Sequence, residues 1–223
     1  MNDVLPGCIM FDLDGTLLDS LPGIEHSVRA AYLSCHLPPP EMSLRSLIGP
    51  PIRTILAQLT NMADRRALTA LESAFRANYD HEGWQMTVCY PDATRVLQTM
   101  HEHGYRLFVI SNKPRRISLQ ILRTEGISDL FEAILTRDSR LPQYSGKVEM
   151  LTALMKEHLA SPENYLFTGD TMEDAEAAAA VGIRFAFMTH GYGEIPETSH
   201  VVTHFRFDGF RQFLPLIAME RVG

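Results

Sequence analysis

The chain lacks the features that mark secreted and membrane proteins. None of its apolar stretches approaches the roughly 18 residues that a membrane-spanning helix needs. Its first residues, MNDVLPGC, contain neither a basic segment nor a long apolar one, so we expect no signal peptide. Only three cysteines occur and their spacing matches no metal site. We therefore expect reduced thiols and a cytoplasmic protein.

Basic residues are in the minority as well. Lys and Arg together number 20 against 27 Asp and Glu, which gives a formal net charge of −7. A chain of this charge is a poor candidate for nucleic-acid binding, and an anionic ligand would need a local cation or a metal ion. The 223 residues suffice for one large domain, or for one domain of average size and a smaller one. We expect a monomer or a small homo-oligomer that contacts neither nucleic acid nor membrane.

Apolar periodicity divides the chain into two parts. Residues 21–81 show helical spacing, including a long helix with Asp64 as its expected N-cap. From Tyr90 onward, short apolar runs alternate with helical segments, which predicts a parallel sheet with helices on both faces. The less regular segments are predicted as helices over 42–48 and 210–218 and as a strand over 201–202.

The first apolar run, Cys8–Phe11, belongs to the same sheet although the helical part separates it from the other strands. The simplest architecture is an α/β fold: a Rossmann-like parallel sheet with an all-helical cap inserted after its first strand. We assign residues 1–17 and 88–223 to the α/β core and residues 18–87 to the cap.

Polar and ionisable side chains follow several of the predicted strands. In open α/β sheets the carboxyl ends of the strands meet at one edge, where ligands bind. Several carboxylates near a single ammonium repel one another unless a hard divalent cation such as Mg²⁺ lies among them. The residues expected at this edge are Asp12, Asp14, Ser111, Asn112, Lys147, Asp170 and Asp174.

Each of these motifs alone has a simpler explanation. The segment DLDGT is compatible with an ordinary Asp-Gly turn, and GDTMED with a helix N-terminus that favours acidic residues. A lone lysine is more often a surface residue. Their joint order, each at a strand end or at the start of the adjoining helix, favours a magnesium site.

These motifs resemble those of the haloacid dehalogenase superfamily, in its phosphoglycolate phosphatase and β-phosphoglucomutase branch. The resemblance rests on DLDGTLLDS, SNK and GDTMEDAEAA and covers nearly the whole chain. It implies an Mg²⁺-dependent phosphatase with a helical cap, which hydrolyses a small phosphorylated metabolite through an aspartyl-phosphate intermediate.

The resemblance also implies a role for each matching residue. Asp12 is the nucleophile, and Asp14 protonates the leaving alcohol and then deprotonates the attacking water. Ser111, Asn112 and Lys147 hold the oxygens of the transferring phosphoryl group.

For the metal, the resemblance implies Asp12, the backbone carbonyl of Asp14, and Asp170 as Mg²⁺ ligands, with Asp174 in support. One departure concerns the lysine, which many relatives follow with proline but which stands here in YSGKVEML.

Other chemistries of this superfamily fit the sequence less well. A dehalogenase lacks the second acid that Asp14 provides, and a phosphonatase needs a cap lysine, whereas no lysine precedes Lys113. A sugar phosphomutase and a non-catalytic phosphate-binding protein stay open as alternatives. Specificity is expected to lie in the cap, where Arg53 follows the rigid turn Gly49-Pro50-Pro51 and could pair with a second anionic group of the substrate.

Overall fold

The computed structural model describes residues 4–60, 64–196 and 198–219. The terminal residues assigned to the core (1–3 and 220–223), residue 197, and residues 61–63 of the cap lie outside this part. The strands are Cys8–Phe11 (β1), Leu18–Asp19 (β2), Val88–Cys89 (β3), Arg106–Ser111 (β4), Ala133–Thr136 (β5), Tyr165–Gly169 (β6), Arg184–Met188 (β7) and Phe205–Phe207 (β8). The α-helices are Leu21–Ser34 (α1), Ile52–Thr60 (α2), Arg65–Tyr79 (α3), Ala93–Glu102 (α4), Arg115–Thr124 (α5), Lys147–His158 (α6), Met172–Val181 (α7) and Phe213–Met219 (α8).

Six strands form one sheet in the order β5-β4-β1-β6-β7-β8, and every neighbouring pair is parallel. Strand β1 lies between β4 and β6, so that Ile9 is opposite Leu107 on one side and Leu166 on the other. All four residues of β1 are buried, because a central parallel strand is covered on both faces. The strand order reverses beside β1, which is where such sheets bind ligands. The α/β core predicted from the sequence is confirmed.

Alternate residues of β1 contribute to two different apolar cores. Ile9 and Phe11 pack on one face with α4, α5 and α8, and the cap continues this core. Cys8 and Met10 pack on the opposite face with α6 and α7. This two-residue alternation is what a pleated strand imposes, and it leaves the end of β1 held firmly between two helical layers.

The cap consists of helices α1, α2 and α3 and short 3₁₀ turns. Helix α3 begins where expected, since the Asp64 side chain accepts a hydrogen bond from the Arg66 backbone N–H at 2.8 Å. The apolar face of α3 is buried against α1 and α2. Its last residue, Tyr79, is 4% exposed. This end of the helix brings a cap hydroxyl to the core.

The two connections between the cap and the core pair with each other. Strands β2 and β3 form an antiparallel ribbon in which Leu18 is opposite Cys89 and Asp19 is opposite Val88. Beside the ribbon, the Tyr90 backbone N–H donates to the Leu17 carbonyl at 3.0 Å. We call this pair of strands the hinge ribbon; the domain boundaries 17/18 and 87/88 stay a prediction.

Three local predictions differ from the structure. The strand predicted at 201–202 is wrong, because the edge strand is β8, in which Phe207 is buried and Arg206 is exposed, as alternation at a sheet edge requires. Val202 is 67% exposed instead. The helix predicted over 42–48 is only the 3₁₀ turn Arg45–Leu47, and that over 210–218 opens with the 3₁₀ turn Phe210–Gln212. In the described residues, every helix is too short or too polar to span a membrane.

Candidate active site

Asp12 lies where β1 ends, in the middle of the sheet. Its backbone N–H donates to the Thr168 carbonyl at 2.9 Å, so the pairing with β6 continues to this residue. The chain then turns at Gly15, whose φ of +84° is in the left-handed region. A Cβ atom at Gly15 would overlap the Asp170 carboxylate. Glycine therefore lets the turn after β1 close against the end of β6.

Three carboxylates meet at this edge of the sheet. Oxygen atoms of Asp12, Asp170 and Asp174 all lie within 4.8 Å of one another, and all three residues are buried. Asp170 directly follows β6, and Asp174 lies in the first turn of α7. Like charges at such distances repel one another strongly away from bulk water. The cluster therefore requires protons or cations to balance it.

The ammonium of Lys147, the first residue of α6, provides part of this balance. Its Nζ is 2.9 Å from Asp12 Oδ2 and 2.5 Å from Asp174 Oδ1. Burial opposes the charge, but Asp12 and Asp174 hold the pKa of Lys147 above its usual value. Lys147 is thus a permanent cation that touches two of the three acids.

Hydrogen bonds fix the orientations of the other two acids. Asp170 Oδ1 accepts from the Thr16 hydroxyl at 3.0 Å, and Thr16 comes from the turn after β1. Asp174 Oδ2 accepts from the backbone N–H of Thr171 at 3.1 Å and from its hydroxyl at 2.5 Å, which completes a capping box on α7. Sequence reasoning missed Thr16, although its place in DLDGT was visible.

One ammonium does not neutralise three buried acids. Burial, with added repulsion from Asp174 and Asp170, raises the pKa of Asp12 to about 8 despite the opposing attraction of Lys147. Burial and the negative charge of Asp174 likewise raise the pKa of Asp170 to about 7. Asp12 Oδ1 is buried and has no hydrogen-bond partner among the described residues. A buried donor set made of carboxylates alone fits a hard divalent cation such as Mg²⁺.

The carboxylate of Asp14 points elsewhere, to a second buried lysine. Lys113 Nζ donates to Asp14 Oδ1 at 2.8 Å and to the Tyr79 hydroxyl at 2.7 Å. Burial opposes this ammonium too, but Asp14 and Tyr79 raise the pKa of Lys113. Asp14 is therefore bridged to the cap through Lys113. Sequence reasoning gave Lys113 no role, although it stands directly beyond the end of β4.

The two residues expected to bind phosphate beside Lys147 have different surroundings. Ser111 ends β4, is 2% exposed and lines the space between the core and the cap. Asn112 also lines this space, and its side-chain amide donates to the Gly49 carbonyl at 3.1 Å and to Glu173 Oε1 at 3.0 Å. The Asn112 side chain thus connects the cap to α7.

A cavity of about 80 Å³ lies between the cap and this edge of the sheet. Arg53 is not among its lining residues, and the Arg53 guanidinium pairs with Glu72 Oε2 at 2.8 Å. The cavity is lined instead by Arg76, which pairs with the other oxygen of Glu72 at 2.9 Å. Its polar wall also includes Asp12, Asp14, Ser111, Lys113 and Tyr79.

Comparison with known proteins finds similar sequences over most of this chain. A sequence model of the family described as haloacid dehalogenase-like hydrolase matches residues 9–188. A phosphoglycolate phosphatase of Cereibacter sphaeroides is 34% identical over 86% of this chain and 88% of its own length. A protein of Mycobacterium tuberculosis named tyrosine-protein kinase PtkA is 35% identical over 89% of this chain and 69% of its own length.

A solved structure shows the same similarity in three dimensions. The crystal structure from Haemophilus somnus described as a predicted phosphoglycolate phosphatase superposes with a TM-score of 0.84 at 25% identity. The superposition covers 97% of this chain and 99% of the other.

The metal-free protein should lose stability as the pH rises from about 5 to about 8. The folded chain holds a proton on Asp12 up to a pKa of about 8, whereas the ordinary value is 3.8. Between these values folding takes up a proton, so a rise in pH favours unfolding, by up to about 1.4 kcal/mol per pH unit for one proton.

The measurement is urea unfolding in EDTA across this pH range, with Asp12→Asn as the matched control. The variant should show a shallower fall in the free energy of unfolding, because it removes the proton-binding carboxyl while Lys147 keeps its contact with Asp174. Identical slopes for the two proteins would show that Asp12 is ionised throughout.

Proposed function

Because this chain belongs to the haloacid dehalogenase-like hydrolase family and is a phosphatase, we propose that it hydrolyses a small phosphate monoester through an aspartyl-phosphate formed on Asp12. The proposal is based on the contacts of the two carboxylate oxygens of Asp12. One of its oxygens is held by Lys147 at 2.9 Å, and the other is buried without a partner among the described residues. A carboxylate fixed on one side and free on the other is positioned as a nucleophile.

We propose Mg²⁺ as the cofactor, held by Asp12 and Asp170. Asp174 is a supporting residue, because its two oxygens already bind Lys147 and Thr171. When bound, Mg²⁺ supplies positive charge that offsets the repulsion between the acids and an incoming phosphate dianion. The backbone carbonyl of Asp14 is the further ligand implied by the family resemblance.

In the first half of the reaction a free oxygen of Asp12 attacks phosphorus, and the bond from phosphorus to the ester oxygen breaks. Lys147 Nζ lies beside the attacking carboxylate and stabilises negative charge on the phosphoryl oxygens, with Ser111 donating from the end of β4. Asp14 gives its proton to the leaving alkoxide. Asp14 is suited to this role because it lines the cavity between the core and the cap, within reach of a leaving group bound there.

In the second half Asp14 takes a proton from water, and the water oxygen attacks phosphorus. The bond between phosphorus and Asp12 breaks, which releases inorganic phosphate and restores the carboxylate. Splitting one difficult hydrolysis into two transfers is the general advantage of a covalent intermediate. Asp12 and Lys113, which line the cavity, are buried, so the charges within the site interact strongly.

The cavity indicates the size of the substrate. At about 80 Å³ it is far below the roughly 300 Å³ at which drug-sized ligand pockets begin. A leaving group of few atoms fits this closed form better than a sugar, which favours hydrolysis of a small ester over a sugar phosphomutase. We propose a phosphoglycolate-like ester, in keeping with the name of the Cereibacter sphaeroides relative. The similarity to the protein named tyrosine-protein kinase PtkA does not argue against a phosphatase, because one fold can host several chemistries.

The direct test of this function is phosphate release from small esters, with and without Mg²⁺. We expect activity that requires Mg²⁺ and falls at least about 100-fold in Asp12→Asn, since the nucleophile is lost. Far-ultraviolet circular dichroism should show that the variant keeps its fold. If Asp12→Asn retained more than a few per cent of wild-type activity, the covalent route would be wrong. A wild-type protein that binds phosphate esters without turnover would indicate a non-catalytic binding protein.

Arg76 is expected to contribute more to substrate binding than Arg53. Glu72 pairs with both guanidinium groups and can neutralise only one, so a positive charge is left at the cavity wall, where Arg76 lies. Arg76→Met should raise the KM for a carboxylate-bearing ester by roughly tenfold, the equivalent of about 1.4 kcal/mol.

The matched variant Arg53→Met should raise that KM less, and neither variant should change the KM for p-nitrophenyl phosphate, which offers no second anion. A larger effect of Arg53→Met would restore Arg53 as the specificity residue.

A further inference from the structure

The loop after β7 packs directly on the proposed metal ligand Asp170. It contains the segment His190-Gly191-Tyr192-Gly193, which we call the GYG loop. A Cβ atom on Gly191 would overlap the Asp170 side chain, and one on Gly193 would overlap the Asp170 backbone. Two glycines thus let a backbone segment approach this acid more closely than any other residue type allows.

Tyr192 contacts Asp170 through its backbone. Its N–H donates to Asp170 Oδ2 at 2.7 Å, while the Thr16 hydroxyl occupies Oδ1 at 3.0 Å. A carboxylate with one such donor on each oxygen cannot rotate without breaking a hydrogen bond. Partners of this kind orient a metal ligand and affect its affinity for the metal.

The side chain of the same residue is attached to the hinge ribbon. The Tyr192 hydroxyl accepts from the backbone N–H groups of Ser20 at 2.7 Å and Leu21 at 3.0 Å, and donates to Asp19 Oδ1 at 2.9 Å. These contacts use one donor and two acceptor positions, the full capacity of a hydroxyl. Asp19 belongs to β2, and Ser20 and Leu21 begin the first cap helix. Tyr192 is 4% exposed, so these bonds are shielded from water.

A cap residue holds the GYG loop from its other side. Arg45, in the 3₁₀ turn of the cap, donates to the His190 carbonyl at 2.9 Å and to the Gly191 carbonyl. The Arg45 guanidinium also lies 5.3 Å from the centre of the Tyr192 ring. The loop is therefore bound to the metal-site acid, to the hinge and to the cap at once.

We propose that Tyr192 is a positioning residue that orients the Asp170 carboxylate for Mg²⁺ and ties that orientation to the hinge of the cap. The proposal rests on the proposed function, since it takes Asp170 as a metal ligand. Its physical basis is that one residue presents its N–H to the acid and its hydroxyl to the hinge. A shift of the hinge ribbon moves the tyrosine, and with it the donor that fixes Asp170. Arg45 restrains the same loop from the cap.

A purely structural role would have a different signature. The Tyr192 hydroxyl also caps two free N–H groups at the start of α1, so its loss lowers stability whether or not Asp170 is affected. A structural role changes the melting temperature alone. A positioning role changes the dissociation constant of Mg²⁺ in the folded protein.

The test is isothermal titration of Mg²⁺ into the EDTA-stripped, full-length protein without substrate. Tyr192→Phe retains the ring and the backbone N–H but loses the hydroxyl contacts with Asp19, Ser20 and Leu21, and we expect Mg²⁺ to bind about tenfold more weakly. Arg45→Met should weaken binding in the same direction and provides a second variant if Tyr192→Phe does not fold. At saturating Mg²⁺, kcat for p-nitrophenyl phosphate should return close to the wild-type value in both variants.

Tyr32→Phe is the matched control, because the Tyr32 hydroxyl is buried in the cap without a partner among the described residues. It loses the same atom and should bind Mg²⁺ as the wild-type protein does. If Tyr192→Phe and Arg45→Met also bind Mg²⁺ normally, whatever their melting temperatures, the positioning role is wrong.

Asp170→Ala separates this failure from failure of the proposed function. If the wild-type protein binds Mg²⁺ and Asp170→Ala does not, Asp170 is a metal ligand. The role of Tyr192 then depends on the Mg²⁺ affinities of Tyr192→Phe and Arg45→Met. Wild-type and Asp170→Ala proteins that bind Mg²⁺ equally, or not at all, would overturn both the metal assignment and the role of Tyr192.

Discussion

The ammonium of Lys147 lies between the carboxylates of Asp12 and Asp174 inside the protein, and the whole edge of the sheet depends on this contact. Without it, the acids that follow β1 and β6 would repel one another in a medium that screens charge poorly. With it, the cluster still carries excess negative charge, which protons offset below the raised pKa values of Asp12 and Asp170 and which a divalent cation can offset above them. The same contact leaves one oxygen of Asp12 free, and that oxygen is the proposed nucleophile.

The cap is joined to this charged edge by polar contacts rather than by apolar packing alone. Lys113 connects Asp14 to Tyr79 of the cap, Asn112 reaches the Gly49 carbonyl, and Arg45 reaches the loop after β7. Each contact involves a residue that lies within a few positions of the end of a core strand. The contacts that hold the cap over the cavity are therefore made by the same loops that carry the acids, and the hinge ribbon joins those loops to the cap.

The sequence predicts the main elements because their patterns follow from geometry. A buried parallel strand must be apolar on both faces, and β1 and β6 are. Parallel strand ends must share an edge, so the convergence of Asp12, Asp170 and Lys147 could be expected before any coordinates. Very short elements cannot be predicted in this way. The hinge ribbon has two residues in each strand, too few for any period to appear.

The sequence also could not predict which of several long polar side chains lines the cavity. Arg53 and Arg76 both lie on cap helices, and only packing decides which guanidinium lines the cavity. Asn112 follows β4 as expected, yet its amide finds Gly49, a partner 63 residues away. Tyr192, in contrast, could have been predicted from the sequence. It follows the end of β7, and the rule that ligand-binding residues follow the carboxyl ends of parallel strands applies to it as well.

Pre-steady-state release of p-nitrophenol from p-nitrophenyl phosphate tests most directly whether Asp12 carries the phosphoryl group. In Asp14→Asn the good leaving group needs no proton, while the second half of the reaction loses its base. We expect a burst of close to one p-nitrophenol per protein, followed by slow turnover, with a phosphorylated peptide that contains Asp12. A burst of the same size in Asp12→Asn, or rapid turnover in Asp14→Asn with no phosphorylated peptide, would contradict it.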